Sequence, residues 1–222
     1  MRFTLVSALL VSAPLWAQVA SQANSHYQTP EGRTDVARSL GNAKRDAEQR
    51  PEALVEELHL KPGMTVADVG TGIGYMLPWL SRAVSPGGRV VAEDIFPDFL
   101  DKARQNASHE HLRDVTFVLG SEKDTKLPEH CCDLVMALDA YHHFNYPGEM
   151  LASIARGLKP GGRFVLVDYY KRPEAMPNGG AMNHIRLDMD DVIKEVEGFG
   201  WHCVWKGEHN PKSQYIAMFE KR

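Results

Sequence analysis

The sequence predicts an α/β fold in which helices cover both faces of a mostly parallel β-sheet. From residue 51 onward, short runs rich in Val, Ile and Phe alternate with stretches of helical periodicity. These runs are almost continuously apolar, which is typical of strands buried on both faces of a parallel sheet. The chain ends in two strand-like runs joined by a short turn, and such a pair is expected to be antiparallel.

The alternating region begins with an amphipathic helix at residues 51–60, which starts at Pro51 and ends before a Pro-Gly pair. Five strands are predicted at Thr65–Val69, Arg89–Asp94, Val115–Leu119, Asp133–Leu138 and Arg163–Asp168. Helices are predicted at Tyr75–Val84, Pro97–Gln105, Gly148–Leu158 and Asp188–Glu197, and two final strands at residues 202–208 and 214–222. One domain is therefore expected over residues 51–222.

Residues 1–17 have the composition of an export signal. Arg2 precedes an apolar run from Phe3 to Trp16, which is short for a bilayer span and contains Pro14. We expect cleavage near Ala17 and export to the periplasm, with no stable membrane span afterwards. The alternatives are a membrane anchor formed by an uncleaved N-terminus and an apolar tail on a cytoplasmic protein.

Residues 18–50 form a polar N-terminal extension, rich in Gln, Asn, Arg and Asp. The extension has weak helical periodicity and no strand pattern. It is expected to wrap the surface of the domain or to be partly disordered.

Charge and cysteine content argue against two kinds of site. The chain has 25 Lys and Arg residues against 29 Asp and Glu residues, a formal net charge of -4, which does not fit a protein that binds nucleic-acid phosphates. Cys131, Cys132 and Cys203 allow at most one disulfide and form no C-x-x-C pair. We therefore expect no nucleic-acid partner, cysteines with a packing role, and no metal site.

A glycine-rich segment, VADVGTGIGY, follows the first predicted strand. It places Gly70, Thr71, Gly72 and Gly74 between a strand and a helix, where glycines permit a tight turn and close approach of a ligand to the backbone. Dinucleotide-binding turns have their third glycine one position later, which argues against an NAD-dependent oxidoreductase. Asp68 would repel phosphates but suits the ammonium and sulfonium groups of S-adenosylmethionine.

An acidic residue ends the second predicted strand. Asp94 lies about twenty residues beyond the glycine-rich segment, where a carboxylate can accept hydrogen bonds from both hydroxyls of a ribose. The alternative is an acid that stabilises the start of the helix at Pro97. Glu93 is expected on the opposite face of the strand.

These motifs resemble those of the class I S-adenosylmethionine-dependent methyltransferases, especially the branch that acts on small molecules. The resemblance covers residues 50–170, and its segments in order are VADVGTGIGY, VVAEDIFPDFL, KLPEHCCDLVMALDAYHHF and LKPGGRFVLVDYY. It implies a Rossmann-like three-layer sandwich with a mostly parallel seven-stranded sheet, strand order 3-2-1-4-5-7-6, and an antiparallel last strand. It also implies S-adenosylmethionine as cofactor and S-adenosylhomocysteine as product.

In that family, the loop after the third strand holds the adenine and usually reads Gly-Asp, with a Leu-Pro pair further on. Here Gly120 is followed by Ser121 and Glu122, so the expected Asp is replaced. Ser121 and Glu122 are the candidates for the adenine contact. The alternative is that they are solvated loop residues.

Four candidate residues follow the fourth predicted strand, at the edge where ligands bind in open α/β folds. The resemblance places Asp139 near the cofactor and its transferable methyl group. His142 and His143 are candidates for a general base, ahead of Asp139, because imidazole titrates near neutral pH. The alternative is that this histidine pair only packs against the next helix. Tyr141 is a candidate substrate contact.

The acceptor pocket is expected to include residues from two further segments. Tyr169 and Tyr170 follow the fifth strand at its ligand-side end. Residues 173–186 have the composition of a mobile loop, and related enzymes place a segment that covers the acceptor there. His184, in this loop, is the fourth candidate substrate contact, after Tyr141, Tyr169 and Tyr170.

The function expected from these residues is in-line transfer of a methyl group to a small molecule, for which the protein mainly aligns the reacting atoms. A base is needed only where the acceptor has to lose a proton. The main alternative is a protein that binds an adenosyl ligand without turnover. A macromolecular acceptor is disfavoured because DAYHHF, and no N-P-P-Y-type sequence, follows the fourth strand.

Overall fold

The structure is a computed structural model that describes residues 18–222. Its strands are β1 (Thr65–Val69), β2 (Arg89–Asp94), β3 (Val115–Leu119), β4 (Cys132–Leu138), β5 (Leu158–Tyr169), β6 (Trp201–Asn210) and β7 (Gln214–Lys221). Its α-helices are α1 (Pro30–Leu40), α2 (Arg45–Gln49), α3 (Pro51–Leu58), α4 (Leu77–Val84), α5 (Pro97–His109), α6 (Pro147–Gly157), α7 (Ala181–His184) and α8 (Met189–Gly198). Short 3-10 turns lie at Ser25–Gln28, Tyr141–His143 and Pro177–Gly179.

All seven strands form one sheet in the order β3-β2-β1-β4-β5-β7-β6. The strands from β1 to β5 pair in parallel, whereas β7 is antiparallel to both of its neighbours, β5 and β6. The Rossmann-like α/β fold, its strand order and its antiparallel last strand are therefore confirmed. The carboxyl ends of the parallel strands meet at one edge of the sheet, which fixes the position of the site.

Most element boundaries agree with the prediction within two residues, and the differences have local causes. Helix α4 begins at Leu77 because the glycine-rich turn continues through the residues before it. Helix α5 continues to His109, four residues beyond the predicted end. Strand β5 begins at Leu158, five residues before the predicted start at Arg163, because Leu158 already pairs with Cys132 of β4.

The core consists of two apolar clusters on opposite faces of the sheet. Adjacent residues of β4 belong to different clusters, Leu134 to one and Val135 to the other, because successive side chains of a strand alternate between its faces. Helix α4 buries Leu77, Leu80 and Val84, a spacing that places them on one helical face. Helices cover both faces, as in a three-layer sandwich.

The polar extension folds into α1, α2 and the 3-10 turn at Ser25–Gln28, so residues 24–49 have defined structure. Arg33 pairs with Asp98 of α5 at 2.7 Å, and Asn24 donates a hydrogen bond to the carbonyl of His143 at 2.9 Å. Both contacts fix the extension at the carboxyl edge of the sheet. The predicted export signal at residues 1–17 lies outside the described residues.

Within residues 18–222, none of the helices is long and apolar enough to cross a bilayer.

Candidate active site

The glycine-rich turn leaves β1 in a conformation that suits glycine. Gly70 has a φ of 75° and Gly72 a φ of 56°, both in the left-handed region. A Cβ atom on Gly70 would lie 2.7 Å from the Cβ of Ala140. The backbone N–H groups of Gly70 and Thr71 donate to the carbonyl of Glu93 at 2.9 and 2.8 Å. The turn is therefore held tightly between β2 and the loop after β4.

Asp94 connects the end of β2 to this turn. One of its carboxylate oxygens accepts from the N–H of Gly72 at 2.9 Å, and the other accepts from the N–H of Phe96 at 2.9 Å. Each oxygen keeps a second lone pair for a ligand. Asp94 is thus held in one orientation at the wall of a cavity.

This cavity lies above the carboxyl ends of β1, β2 and β4. The predicted cofactor residues that line it are Gly70, Thr71, Gly72, Asp94, Ser121, Glu122 and Asp139. Glu122 accepts a hydrogen bond from the side chain of Asn145 at 2.7 Å, and Asn145 also lines the cavity. The geometry brings the glycine turn, the candidate ribose residue and the candidate adenine residues to one cavity.

Two predicted cofactor residues lie behind the wall. Asp68 is buried and accepts from the hydroxyl of Thr71 at 2.8 Å, so it positions the turn from below. Gly74 lies against α5, where an added Cβ would be 3.2 Å from the Cβ of Ala103. Neither residue lines the cavity, and the third glycine is explained by close packing between the turn and a helix.

Buried carboxyl groups make this region acidic. Burial raises the pKa of Asp68 to about 6, against the lowering effect of its hydrogen bond from Thr71. Burial also raises the pKa of Asp94 to about 6, against the lowering effect of its backbone hydrogen bonds. Glu93 lines the same cavity, contrary to the expectation that it faces away; burial and the nearby Asp94 raise its pKa well above the usual value.

Asp139 stands at the centre of the site, in a left-handed backbone conformation with a φ of 51°. Its two carboxylate oxygens accept hydrogen bonds from the side-chain amides of Gln49 and Gln214, each at 2.6 Å. Burial, followed by the charge of Asp168, raises the pKa of Asp139 to about 7. A carboxyl group with such a pKa exchanges protons near neutral pH.

Three histidines meet beside this cavity. Nε2 of His142 lies 3.2 Å from Nε2 of His184, and the rings of His142 and His143 are 4.0 Å apart. Nδ1 of His142 lies 2.6 Å from a carboxylate oxygen of Asp168. Burial lowers the pKa of all three imidazoles. His143 lines the cavity, and His184 lines a second cavity that also includes Lys171.

The structure places the three predicted tyrosine contacts away from the cavity wall. Tyr141 is fully buried in the core, and its hydroxyl donates to Glu195 at 2.7 Å. Tyr170 is also buried, with its ring 5.4 Å from that of Tyr215. The structure thus places both residues in the core, outside the cavity wall, and their contact with a substrate stays a prediction. Tyr169 lies next to the site, because its hydroxyl accepts from the Gln49 amide at 3.3 Å.

Sequence reasoning missed the residues that the N-terminal extension contributes. Tyr27 and Arg45 line the cavity, and Gln49 contacts Asp139 from behind it. Arg45 lies 4.2 Å above the ring of Tyr75 and lowers the pKa of Asp68 and of Asp139. Arg45 is therefore a positively charged residue close to several buried carboxyl groups. It belongs to the polar N-terminal extension, in which no sequence motif indicates a site.

Comparison with known proteins gives concordant results. Residues 67–166 match the family model of the methyltransferase domain. The chain is 30% identical to a methyltransferase of Streptomyces halstedii over 154 residues, 68% of this chain and 50% of that protein. It is also 30% identical to a Talaromyces variabilis protein named an S-adenosyl-L-methionine-dependent Diels-Alderase, over 127 residues, 56% of this chain and 42% of that one. The chain thus spans half or less of these curated relatives.

Among solved structures, a SAM dependent methyltransferase from Aquifex aeolicus superposes with a TM-score of 0.74 at 25% identity. The match covers 83% of this chain and 96% of that chain. The likeness therefore extends over nearly the whole domain, including strands outside the matched family segment.

Proposed function

Because this chain belongs to the class I S-adenosylmethionine-dependent methyltransferases, we propose that it binds S-adenosylmethionine and transfers the methyl group to a small-molecule acceptor. The observation that carries the proposal is the cavity between the glycine turn and Asp139, which is lined by buried carboxyl groups.

The residues of the cavity fit this cofactor. S-adenosylmethionine carries an ammonium and a sulfonium group, and a buried carboxyl group with a raised pKa gains the charged form when a cation binds beside it. Within the described residues, one buried carboxyl oxygen of Glu93 has no hydrogen-bond partner, which adds an uncompensated acidic group next to the cavity. A pyrophosphate would meet the same carboxyl groups with unfavourable charge.

Each part of the cofactor has a candidate partner. Asp94 is suited to the ribose hydroxyls, since both of its oxygens are oriented by backbone N–H groups. Ser121 and Glu122 are suited to the adenine. Arg45 is the cation that lines the cavity from the extension, and we assign it to the carboxylate of the methionyl group, because an Arg–carboxylate contact is strong and directional.

Bound S-adenosylmethionine would supply an activated methyl group, with the sulfur leaving as a neutral thioether. The protein's contribution is alignment of the acceptor with that methyl group and exclusion of water. The extension supports both, because its residues Tyr27 and Arg45 line the cavity together with the glycine turn. Such a cavity favours an acceptor small enough to enter it, rather than a nucleic acid or protein.

Where the acceptor has to lose a proton, Asp139 is the preferred base. Its pKa of about 7 and its position in the cavity suit proton transfer near neutral pH. His143 also lines the cavity and is suited to orienting the acceptor. His142 is shielded behind it, hydrogen-bonded to Asp168. The order of candidates that the sequence suggests, histidines first, is therefore reversed in this proposal.

Two measurements test the proposal. Isothermal titration of the purified protein with S-adenosylmethionine and S-adenosylhomocysteine should give one site per chain. Incubation with methyl-labelled S-adenosylmethionine and a panel of phenols, amines, thiols and carboxylates should transfer label to at least one of them. Absence of binding by the folded protein would contradict the proposal.

The second candidate is an adenosyl-ligand-binding protein on the same fold that does not transfer methyl groups. It is favoured by one observation, that a similar protein is named a Diels-Alderase that depends on S-adenosyl-L-methionine. Binding of the cofactor without label transfer to any compound of the panel would support this candidate over the first.

Export is proposed separately, from Arg2 and the apolar run at residues 3–16. Intact-mass measurement of the protein isolated from cells should give a chain that begins near Gln18, and fractionation should place it in the periplasm. A chain that retains residues 1–17 in the membrane fraction would indicate an anchor, and one in the cytoplasm would overturn export.

A further inference from the structure

We propose that His142, His143 and His184 form a binding site for a divalent transition-metal ion, for which Zn²⁺ is the probe. Each of the three residues offers one ring nitrogen, and these atoms lie within 4.8 Å of one another. The proposal goes beyond methyl transfer and does not depend on it. It replaces the sequence-based expectation of no metal site, which considered only cysteine spacing.

The contacts of His142 with Asp168 leave the lone pair of its imidazole on Nε2. Asp168 accepts from the backbone N–H groups of His142 and Tyr169 at 3.1 and 2.8 Å. Because the Asp168 carboxylate is the acceptor in both of these bonds, it is also the acceptor for the imidazole ring of His142. Nδ1 of His142 therefore carries the ring hydrogen. Nε2 therefore presents a lone pair toward His184. A carboxylate on the far nitrogen is the usual support for a histidine that binds a metal.

The hydrogen bonds between His143 and Asn24 determine the tautomer of His143. The Nδ2 amide of Asn24 donates to the carbonyl of His143 at 2.9 Å, so the Oδ1 atom of Asn24 faces the ring. That oxygen lies 2.7 Å from Nδ1 of His143 and accepts from it. The remaining nitrogen, Nε2, lies 3.4 Å from the hydroxyl of Tyr27 and has a lone pair. Two histidines from one turn thus have oxygen partners on Nδ1 and lone pairs on Nε2.

His184 supplies the third nitrogen from a different part of the chain. Its Nε2 lies 3.2 Å from Nε2 of His142, close to the separation of two ligands bound at about 2.0–2.1 Å to one tetrahedral Zn²⁺. Without a metal, the same distance is a hydrogen bond between two imidazoles. That bond would pair His142 with His184, and it would not involve the third imidazole, that of His143.

The ligand set indicates the class of ion. Three imidazole nitrogens favour Zn²⁺, Cu²⁺, Ni²⁺ or Fe²⁺ over Mg²⁺ and Ca²⁺, which prefer oxygen ligands. The buried carboxylate of Asp168 offsets part of the added charge. Three protein ligands leave a position for water or for a bound molecule. His143 borders the main cavity and His184 the second one, so that position lies between the two.

The test is metal content after equilibrium dialysis of the tag-free, chelator-treated protein against Zn²⁺. The unaltered protein should retain about one Zn²⁺ per chain, and His184→Ala should lower the affinity at least about 100-fold. Asp168→Asn should lower it about 10- to 100-fold, as for other changes behind a metal ligand. The matched control is His202→Ala, on an exposed histidine that pairs with Glu197, which should retain the metal.

Spectroscopy of the unaltered protein loaded with Co²⁺ gives a second readout that needs no variant. Visible bands of nitrogen-coordinated Co²⁺ without a thiolate charge-transfer band would support the histidine site. A thiolate band would place the metal at Cys131 and Cys132, whose sulfur atoms lie 2.9 Å apart, and would overturn the proposal. Zn²⁺ retention below one-tenth per chain, or equal loss in His184→Ala and His202→Ala, would also overturn it.

Discussion

The side-chain amide of Gln49 donates a hydrogen bond to the carboxylate of Asp139 at 2.6 Å, across 90 residues of sequence. The contact joins the end of α2 to the loop after β4. Gln49 therefore makes the N-terminal extension part of the site, because it supports the acid at the centre of the cavity.

Replacement of this amide should destabilise the protein in a pH-dependent way. The folded-state pKa of Asp139 already lies above that of an unfolded chain, so its ionisation costs stability progressively from about pH 4 to about pH 7. Gln49→Leu removes a donor to the ionised form and raises this pKa further. We expect a loss of about 1–3 kcal/mol at pH 8, and a smaller loss at pH 5.

Urea unfolding at both pH values measures this difference. The control is Gln105→Leu, on the exposed face of α5, which should change the free energy of unfolding by less than about 0.5 kcal/mol. An equal loss for Gln49→Leu at pH 5 and pH 8 would contradict the role assigned to the amide.

Arg45 should discriminate between ligands with and without a methionyl carboxylate. Arg45→Gln should weaken S-adenosylmethionine binding about 10- to 100-fold, the range for a hydrogen bond to a charged group. Binding of 5′-methylthioadenosine, which lacks the carboxylate, should be unchanged. Isothermal titration with both ligands measures this, and Arg38→Gln, exposed on α1, is the control. Equal weakening of both ligands would refute the assignment.

Substitution of Asp94 should weaken the binding of the nucleoside part of the ligand. Asp94→Asn removes the charge and one acceptor for a ribose hydroxyl, so adenosine and S-adenosylmethionine should both bind about 10-fold more weakly or worse. The matched control is Asp101→Asn, an exposed acid of α5 that pairs with Arg104. Adenosine binding at the level of the unaltered protein would show that Asp94 only orders the turn.

Cofactor binding should release protons near pH 6. The free protein holds protons on Asp68 and Asp94 up to about pH 6, because burial raises both pKa values. A cation beside them favours the ionised forms, so affinity should rise from pH 5 to pH 7.5 and then level off. Titration in two buffers of different ionisation enthalpy counts the protons, and net uptake of protons would contradict this electrostatic account.

The positions of the strands and helices could be predicted from the sequence, because apolar periodicity and glycine turns are local signals. The ranges of β1, β2 and β3 agree with the prediction residue by residue. The strand order came from the family resemblance, since local patterns do not determine which strands are neighbours.

The site was only partly predictable, because its remaining contacts join distant segments. Arg45 and Gln49 belong to a polar stretch without a strong period, and their positions depend on tertiary packing. Asp68 and Gly74 are of residue types that often bind ligands, but neither lines the cavity. They support the glycine turn from behind the cavity wall. The histidine cluster combines two neighbours with His184, 42 residues later, and no spacing rule predicts that approach.

The most direct test of the account is titration with S-adenosylmethionine of the unaltered protein, Gly72→Val and Gly161→Val. Both glycines have positive φ values, so both substitutions strain the backbone by roughly 1–2 kcal/mol. Only Gly72 lines the cavity, whereas no atom lies within 4 Å of a Cβ on Gly161. The account predicts one site per chain that is lost in Gly72→Val and kept in Gly161→Val. No binding by the folded, unaltered protein, or undiminished binding by Gly72→Val, would contradict it.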